Sequence, residues 1–302
     1  MVCAVLLVVA AVPAHARLLS PRGDTSAADG VSSVRRLGLD RTALAKLRSK
    51  HRALLRDFPI GDARTGDLVL DRFEPFPPDA RAEIMEAGGP RRLALPDSMY
   101  FRGQVAGDPT SLAFVVAGRR RVHGFVIADG QVFPFGRDVH GIHRAYALAH
   151  ADPQLHPPPR DFCANDLHPQ ALAIPPDELA RIAALPVSGA PGTLKQADIA
   201  IETDRELRTK FNSDAAALQY VMSLAAAATA IYERDVAVRL RFSYIRLWGA
   251  SPPDPWTATD PSGTLGELRS YWNNAANGMA QIAGPRTVVH MISGKPVQGG
   301  VA

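Results

Sequence analysis

The spacing of apolar residues changes character twice along the chain. Asp40 stands where a helix N-cap is expected, and Leu44, Leu47, Leu54 and Phe58 follow near helical spacing with Arg and Lys between them, which predicts an amphipathic surface helix. From Asp67 to Gly136 the texture is that of strands. Leu68 and Leu70 alternate, and the runs Met99 to Val105 and Ser111 to Val116 flank Gly107-Asp108-Pro109. Val122 to Ile127 and Gln131 to Phe135 stand on either side of Asp129-Gly130. Asp-Gly between apolar runs is a strong hairpin signal, so this region predicts a mainly antiparallel sheet.

Residues 151–193 then contain nine prolines, which prevents any long regular element apart from a short helix over about Pro176 to Leu185. Beyond them strands and helices alternate. Ala197 to Glu202 reads as a strand, Ser213 or Asn212 caps a helix to about Arg234, and Val238 to Leu247 is a second strand. Thr264 to Gly278 is a helix and Thr287 to Ile292 a third strand. This β-α-β-α-β order predicts an α/β region with a largely parallel sheet and covering helices, preceded by a mainly β region. Ala215 to Tyr232 is uncharged over eighteen residues, which is membrane-span length. Gln219, Tyr220, Ser223 and Thr229 are distributed around it, while Leu218, Val221, Met222, Ala225 and Tyr232 form one stripe. The expectation is a helix packed on a sheet, with no transmembrane span.

Composition narrows the class. The chain has 302 residues, 46% hydrophobic and 21% charged, an ordinary folded profile with room for two cores. Its net charge of +4 is uneven: residues 17–160 carry 22 basic and 16 acidic side chains (22 − 16 = +6), and 161–302 carry 12 and 14 (12 − 14 = −2). The excess is dispersed arginine, with Arg119-Arg120-Arg121 the tightest run and no interleaved aromatics, so no nucleic-acid partner is expected.

Val2 to Val12 is an apolar stretch of signal-peptide length, and Ala14-His15-Ala16 offers small residues for cleavage after Ala16, although no Lys or Arg precedes the run. The expected organisation is a signal peptide (1–16), a disordered Ser/Gly/Ala/Asp-rich stretch (17–38), a β-rich domain (39–150), a proline-rich linker (151–193) and an α/β domain (194–302). The expected location is secreted or extracytoplasmic. Only Cys3 and Cys163 occur, so removal of the signal leaves one thiol. In an exported protein that points to an intermolecular bridge, a reactive thiol or a small buried hydrophobe, and the polar, proline-rich surroundings of Cys163 favour exposure.

His140, His143 and His150, with Asp138 nearby, offer metal-type ligands, but solvated loop histidines account for them as well, and no metal site is assigned. His290 inside an apolar strand reads as a core histidine. No His-Glu-x-x-His, Walker A, G-x-S-x-G or G-x-G-x-x-G motif occurs, and no catalytic constellation is complete.

The segment Ala197-Asp198-Ile199-Ala200-Ile201-Glu202-Thr203-Asp204, the Ala-rich helix, the strand Val238-Arg239-Leu240-Arg241-Phe242 and Asp254-Pro255-Trp256 occur in that order. Leu265-x-x-Leu268-x-x-Tyr271-Trp272-Asn273 follows, and Val288-Val289-His290-Met291-Ile292-Ser293-Gly294 leads to Gly299-Gly300-Val301-Ala302. Together these resemble the opening half of a metzincin zinc metallopeptidase of the adamalysin/reprolysin (ADAM-like) branch. Tyr100-Phe101-Arg102-Gly103-Gln104-Val105, Asp108-Pro109-Thr110-Ser111-Leu112 and Val122-His123-Gly124-Phe125-Val126 resemble that family's pro-domain.

The resemblance implies a truncated, metzincin-like α/β catalytic half behind a mainly β pro-domain that docks on its own catalytic domain. It implies peptide-bond hydrolysis of a peptide or protein substrate, with zinc bound only in a longer protein. The family's H-E-x-x-H-x-x-G-x-x-H helix would lie beyond Ala302, so this chain carries no catalytic residues, binds no zinc and is expected to be inactive. The backbone of Gly299, Gly300, Val301 and Ala302 would pair with substrate, unless the two glycines make a simple turn. Cys163 is a candidate for a cysteine switch, the thiolate occupying the position that catalytic water needs. Arg160-Asp161-Phe162-Cys163-Ala164-Asn165-Asp166 departs from the usual motif in having Ala164 where a Gly is usual. The rival reading is a non-catalytic exported binding or interaction protein.

Overall fold

The computed structural model describes residues 17–138, 140–152 and 193–296. In chain order they form β1 (Leu19–Pro21), β2 (Ser26–Ala28), β3 (Val31–Leu39), α1 (Arg41–Arg48), β4 (Arg52–Ile60), β5 (Arg64–Phe73), β6 (Arg81–Glu86) and β7 (Gly89–Leu93). Next come β8 (Met99–Val105), β9 (Asp108–Ala117), β10 (Val122–Ala128), β11 (Gln131–Arg137) and β12 (His143–Ala145). The remainder is β13 (Lys195–Thr203), α2 (Arg205–Thr209), α3 (Asp214–Val236), β14 (Val238–Trp248), α4 (Pro261–Asn273), α5 (Met279–Ala283) and β15 (Val288–Ile292). The chain divides into two compact units, 1–72 with 101–151 and 73–100 with 152–302.

The first unit is one long sheet in the order β1-β3-β12-β11-β10-β9-β8-β5-β4, with β2 paired to β3. It curls until its end strands β1 and β4 approach each other, which makes it a nearly closed, barrel-like sheet. Arg17 and Asp57 form an ion pair of 2.7 Å beside those ends. At the β10–β11 hairpin Ala128 faces Gln131, and Asp129 and Gly130 both take positive φ (52° and 69°), the geometry of a two-residue hairpin turn. Leu112 to Ala117 on β9 are all buried, so this strand is covered on both faces. Leu44 and Leu47 of α1 are buried, and the Arg48 guanidinium donates to the Ala117 carbonyl at 2.8 Å.

Two expectations fail here. The helix that Asp40 caps stops at Arg48, and Leu54 and Phe58 belong to β4. A bulge between Leu55 and Phe58, with Asp57 at φ 49°, breaks the period of two and leaves a spacing that imitates a helix. The stretch 17–38, expected to be disordered, holds β1, β2 and nearly all of β3, because Leu19 pairs with Leu39 and Leu18, Val34 and Leu37 are buried.

The second unit holds a five-stranded sheet in the order β15-β13-β14-β6-β7. β14, β13 and β15 are mutually parallel, β6 joins β14 in parallel, and β7 returns antiparallel on β6. α3 covers one face, where Leu218, Val221, Met222 and Ala225 meet Ile84, Ile199, Ile201, Ile245 and Leu247. The opposite face carries Ala200, Tyr244, Trp256, Leu268 and Trp272, with Met279 and Ala283 of α5. The register shift between Ile199 and Ala200 of β13 leaves Ser243 of β14 as an extra residue, so that Phe242, Ile245 and Leu247 all face α3.

This corrects the expected fold class. Residues 194–302 do not make a β-α-β-α-β half-domain of their own. Their three strands belong to a mixed sheet completed by the hairpin 81–93, a segment inside the expected β-rich domain in which no individual strand is predicted, and the described residues are mostly β. Hydrophobic period identifies a strand but carries no information about a parallel neighbour some 160 positions away in the chain, such as Ile84 beside Leu247.

α3 is capped by Ser213, whose Oγ accepts the Ala216 N–H at 3.2 Å. Among the described residues it is the one helix long and apolar enough to cross a membrane. Its Leu218, Val221, Met222 and Ala225 are buried against the sheet, while Tyr232 is exposed rather than part of that stripe.

Candidate functional site at the carboxyl ends of the parallel strands

In open α/β sheets, ligands gather where the parallel strands end. Here β13 ends in Glu202-Thr203 and continues to Asp204, β14 ends in Arg246-Leu247-Trp248, and β15 runs into Ser293-Gly294-Lys295. Each segment puts charged side chains immediately behind an apolar run, so the polar groups are carried into the core by their neighbours.

Glu202 is completely buried. Its Oε1 accepts the Trp248 indole N–H at 2.8 Å and its Oε2 accepts that of Trp272 on α4 at 3.0 Å. Burial pushes the carboxyl up to about 7, against the pull of the Arg246 charge and the two indole bonds. Arg246, 2% exposed, donates to Glu83 Oε1 of β6 from Nε (3.1 Å) and Nη2 (2.9 Å), to the Tyr244 hydroxyl (2.9 Å) and to that of Tyr271 (3.3 Å). The Tyr244 hydroxyl also donates to Glu83 Oε1, and burial raises the Tyr244 phenol above its ordinary value.

Asp204 is the second anchor. It caps α2 by accepting the Leu207 N–H at 2.7 Å, and the same Oδ1 accepts the Gly294 N–H at 2.8 Å. Oδ2 accepts the Ser293 hydroxyl. Gly294 sits so close that a Cβ there would lie 2.1 Å from the Leu207 nitrogen, so the chain after β15 can pass only without a side chain at this point. The Trp256 indole donates to the Thr203 carbonyl at 2.8 Å, and the Lys295 ammonium reaches the carbonyls of Trp256 (2.7 Å) and Ala258 (2.8 Å). The rings of Trp248, Trp256 and Tyr271 stack edge to face with centroids 5.4 to 6.4 Å apart.

Chemically this is a brace. Its two anchoring carboxylates are fully buried, with every carboxylate oxygen accepting at least one hydrogen bond, and neither faces a space in which a substrate atom would sit. Beside it, a surface groove of about 650 Å³ is lined by Trp272, Asn273, Arg286, Thr287, Val288 and Val289, with the Arg286 guanidinium 4.7 Å above the Trp272 ring.

Cys163 and the stretch Gly299, Gly300, Val301 and Ala302 lie outside the described residues. The three histidines offered as metal-type ligands, His140, His143 and His150, form no cluster of three or more with one another or with acidic side chains. His143 is buried on β12, where its Nε2 accepts the Val122 N–H at 3.4 Å; His150 Nδ1 lies 3.3 Å from Asp62; and His140 is exposed. Burial, with the charges of Arg121 and His143, pushes the neighbouring His123 down to about 4. His290 is exposed on β15 and is not a core histidine. Among the described residues no three His, Cys, Asp or Glu side chains come together as a metal ion would require.

In the sequence Glu202, Asp204, Trp256 and Trp272 stand out only as letters of the metzincin-like motifs, without a role, and Glu83 and Arg246 belong to none of them. A usable signal was present: a charge inside an apolar strand, as in Ile199-Ala200-Ile201-Glu202 and Tyr244-Ile245-Arg246-Leu247-Trp248, must be paired.

No family model matches the chain, and no curated protein matches it. Among solved structures the chain is distantly similar to metalloproteinase-II from Bacteroides fragilis, with a TM-score of 0.39 and 9% sequence identity, over 86% of this chain and 71% of that one.

Proposed function

We propose that this chain is the N-terminal portion of an exported, latent zinc metalloendopeptidase precursor, in which the β-rich unit serves as pro-region and the second unit as the scaffold of the peptidase. The observation that carries the reading is the mutual bonding of the motif residues. Glu202, Asp204, Trp256, Trp272 and Ser293-Gly294 come from separated stretches that resemble the metzincin order, and they bond one another directly or through Thr203. Placement in the adamalysin branch rests on the sequence motifs alone. In this reading zinc, held by residues that follow Ala302, would polarise the substrate carbonyl and activate the attacking water. The residues of this chain position the scaffold and keep the precursor latent.

Latency is assigned to Cys163, whose thiolate would hold the zinc in place of water. In the full precursor, Cys163→Ser is expected to raise peptidase activity before any pro-region cleavage, by tenfold or more, and a thiol-reactive mercurial is expected to do the same to the wild type. Equal latency in both proteins would remove Cys163 from the mechanism.

A further inference from the structure

We propose that Glu202 is a proton-operated latch that fixes helix α4 to the sheet of the second unit: α4 is held while the carboxyl keeps its proton and loosens when the proton leaves. This goes beyond the peptidase reading and does not depend on it.

Three elements meet at this one side chain, which sits on β13 and bonds Trp248 of β14 and Trp272 of α4. The charges around it are unequal. On the same face of the sheet, β14 contributes Arg246 and Tyr244, β6 contributes Glu83 and α4 contributes Tyr271. β15 contributes only Val289 and Met291 to this face, and Arg286 lies over the outer Trp272 ring. The side-chain hydrogen bonds of Arg246 go to Glu83, Tyr244 and Tyr271. Two carboxylates therefore share one guanidinium, and the one that this guanidinium does not bond is the fully buried one. With both ionised the junction holds a net charge of −1; water reaches Glu83 (18% exposed) but not Glu202, whose charge the two indole bonds and a Thr203 backbone bond only partly offset.

The linkage follows in sign. Burial raises the carboxyl of Glu202 from 4.5 to about 7 while α4 is docked, and an opening that hydrates it returns it to its ordinary value. The docked state therefore binds a proton that the open state does not. Its stability is fully present below pH ~4.5, declines as pH rises, and levels off once pH has passed the docked value. One proton corresponds to about a tenfold change in opening per pH unit across that window.

Hydrogen exchange on the full chain between pH 5 and 8.5 tests this, read as protection factors so that the intrinsic pH dependence of exchange is removed. Protection of the α4 amides and of the Trp272 indole N–H is expected to fall about tenfold per unit between pH 5 and 6.5 and to level off above pH ~7.5, with α3 amides unchanged. In Glu202→Gln, which cannot titrate, α4 protection is expected to be flat. Should that variant not fold, Trp272→Phe retains Glu202 and removes one donor from its ionised form. Its levelling-off is then expected at higher pH than in the wild type. A flat wild-type profile, an unchanged slope in Glu202→Gln, or an unmoved plateau in Trp272→Phe would overturn the proposal.

Discussion

Replacing Arg246 by alanine is expected to destabilise the second unit by roughly 3–5 kcal/mol, the cost of breaking a buried ion pair from one side. The guanidinium is 2% exposed and is the cation for both Glu83 and Glu202. Its removal leaves the part-buried Glu83 and the fully buried Glu202 without their cation and frees the Tyr244 and Tyr271 hydroxyls from a shared donor. All three tryptophans of the chain, Trp248, Trp256 and Trp272, belong to this unit, so urea unfolding followed by tryptophan fluorescence reports on it alone. The same substitution combined with Glu83→Gln is expected to recover part of the loss, because the orphaned charge is then removed as well. A loss below 1 kcal/mol in Arg246→Ala would mean that the cluster is hydrated and not a brace.

Asp204→Ala is the second large effect. The carboxylate accepts from the Leu207 and Gly294 N–H groups and from the Ser293 hydroxyl, and the residue is fully buried. An unsatisfied buried donor costs about 1–3 kcal/mol, so two stranded backbone N–H groups predict a loss of about 3–4 kcal/mol. Asp204→Asn keeps one acceptor oxygen and is expected to lose about half as much. Thermal unfolding of the three proteins at one pH provides the comparison. If alanine and asparagine behave alike, charge rather than acceptor geometry holds the chain after β15.

Local chemistry was the readable part of this sequence. Asp129-Gly130 announces its hairpin because few other pairs accept two positive φ angles in succession, and Ser213 announces the start of α3 because a hydroxyl there satisfies an otherwise free N–H. What escaped were the places where period misleads or where partners are remote. The bulges near Asp57 and Ser243 each shift a strand by one residue, so buried Leu55 and Phe58 stand three apart, a helical spacing. Residues 19–39 are poor in apolar side chains, yet β1 and β3 are held by a few buried anchors, here Leu19, Val34 and Leu37. The hairpin 81–93 is absent from the strands read in the sequence, and its parallel place beside β14 is decided by packing between distant segments.

The candidate site shows the same division. A charged residue in an apolar strand announces that Glu202 and Arg246 must be paired, without saying with what. The partners come from β6, β14 and α4, and nothing in the spacing of Glu83, Trp248 and Trp272 reveals that their side chains meet. Physical necessity was visible in the sequence; the identity of the solution required the fold.

The most direct test of the functional account is zinc content and peptide hydrolysis, measured together on the precursor extended past Ala302 and freed of its pro-region. The account predicts about one zinc per chain, and hydrolysis of an unfolded protein substrate that is abolished by a chelator and restored by added zinc. The 302-residue chain assayed in parallel should remain inactive. Chelator-sensitive hydrolysis by the 302-residue chain itself, or an extended protein that binds no zinc and cleaves nothing, would contradict it.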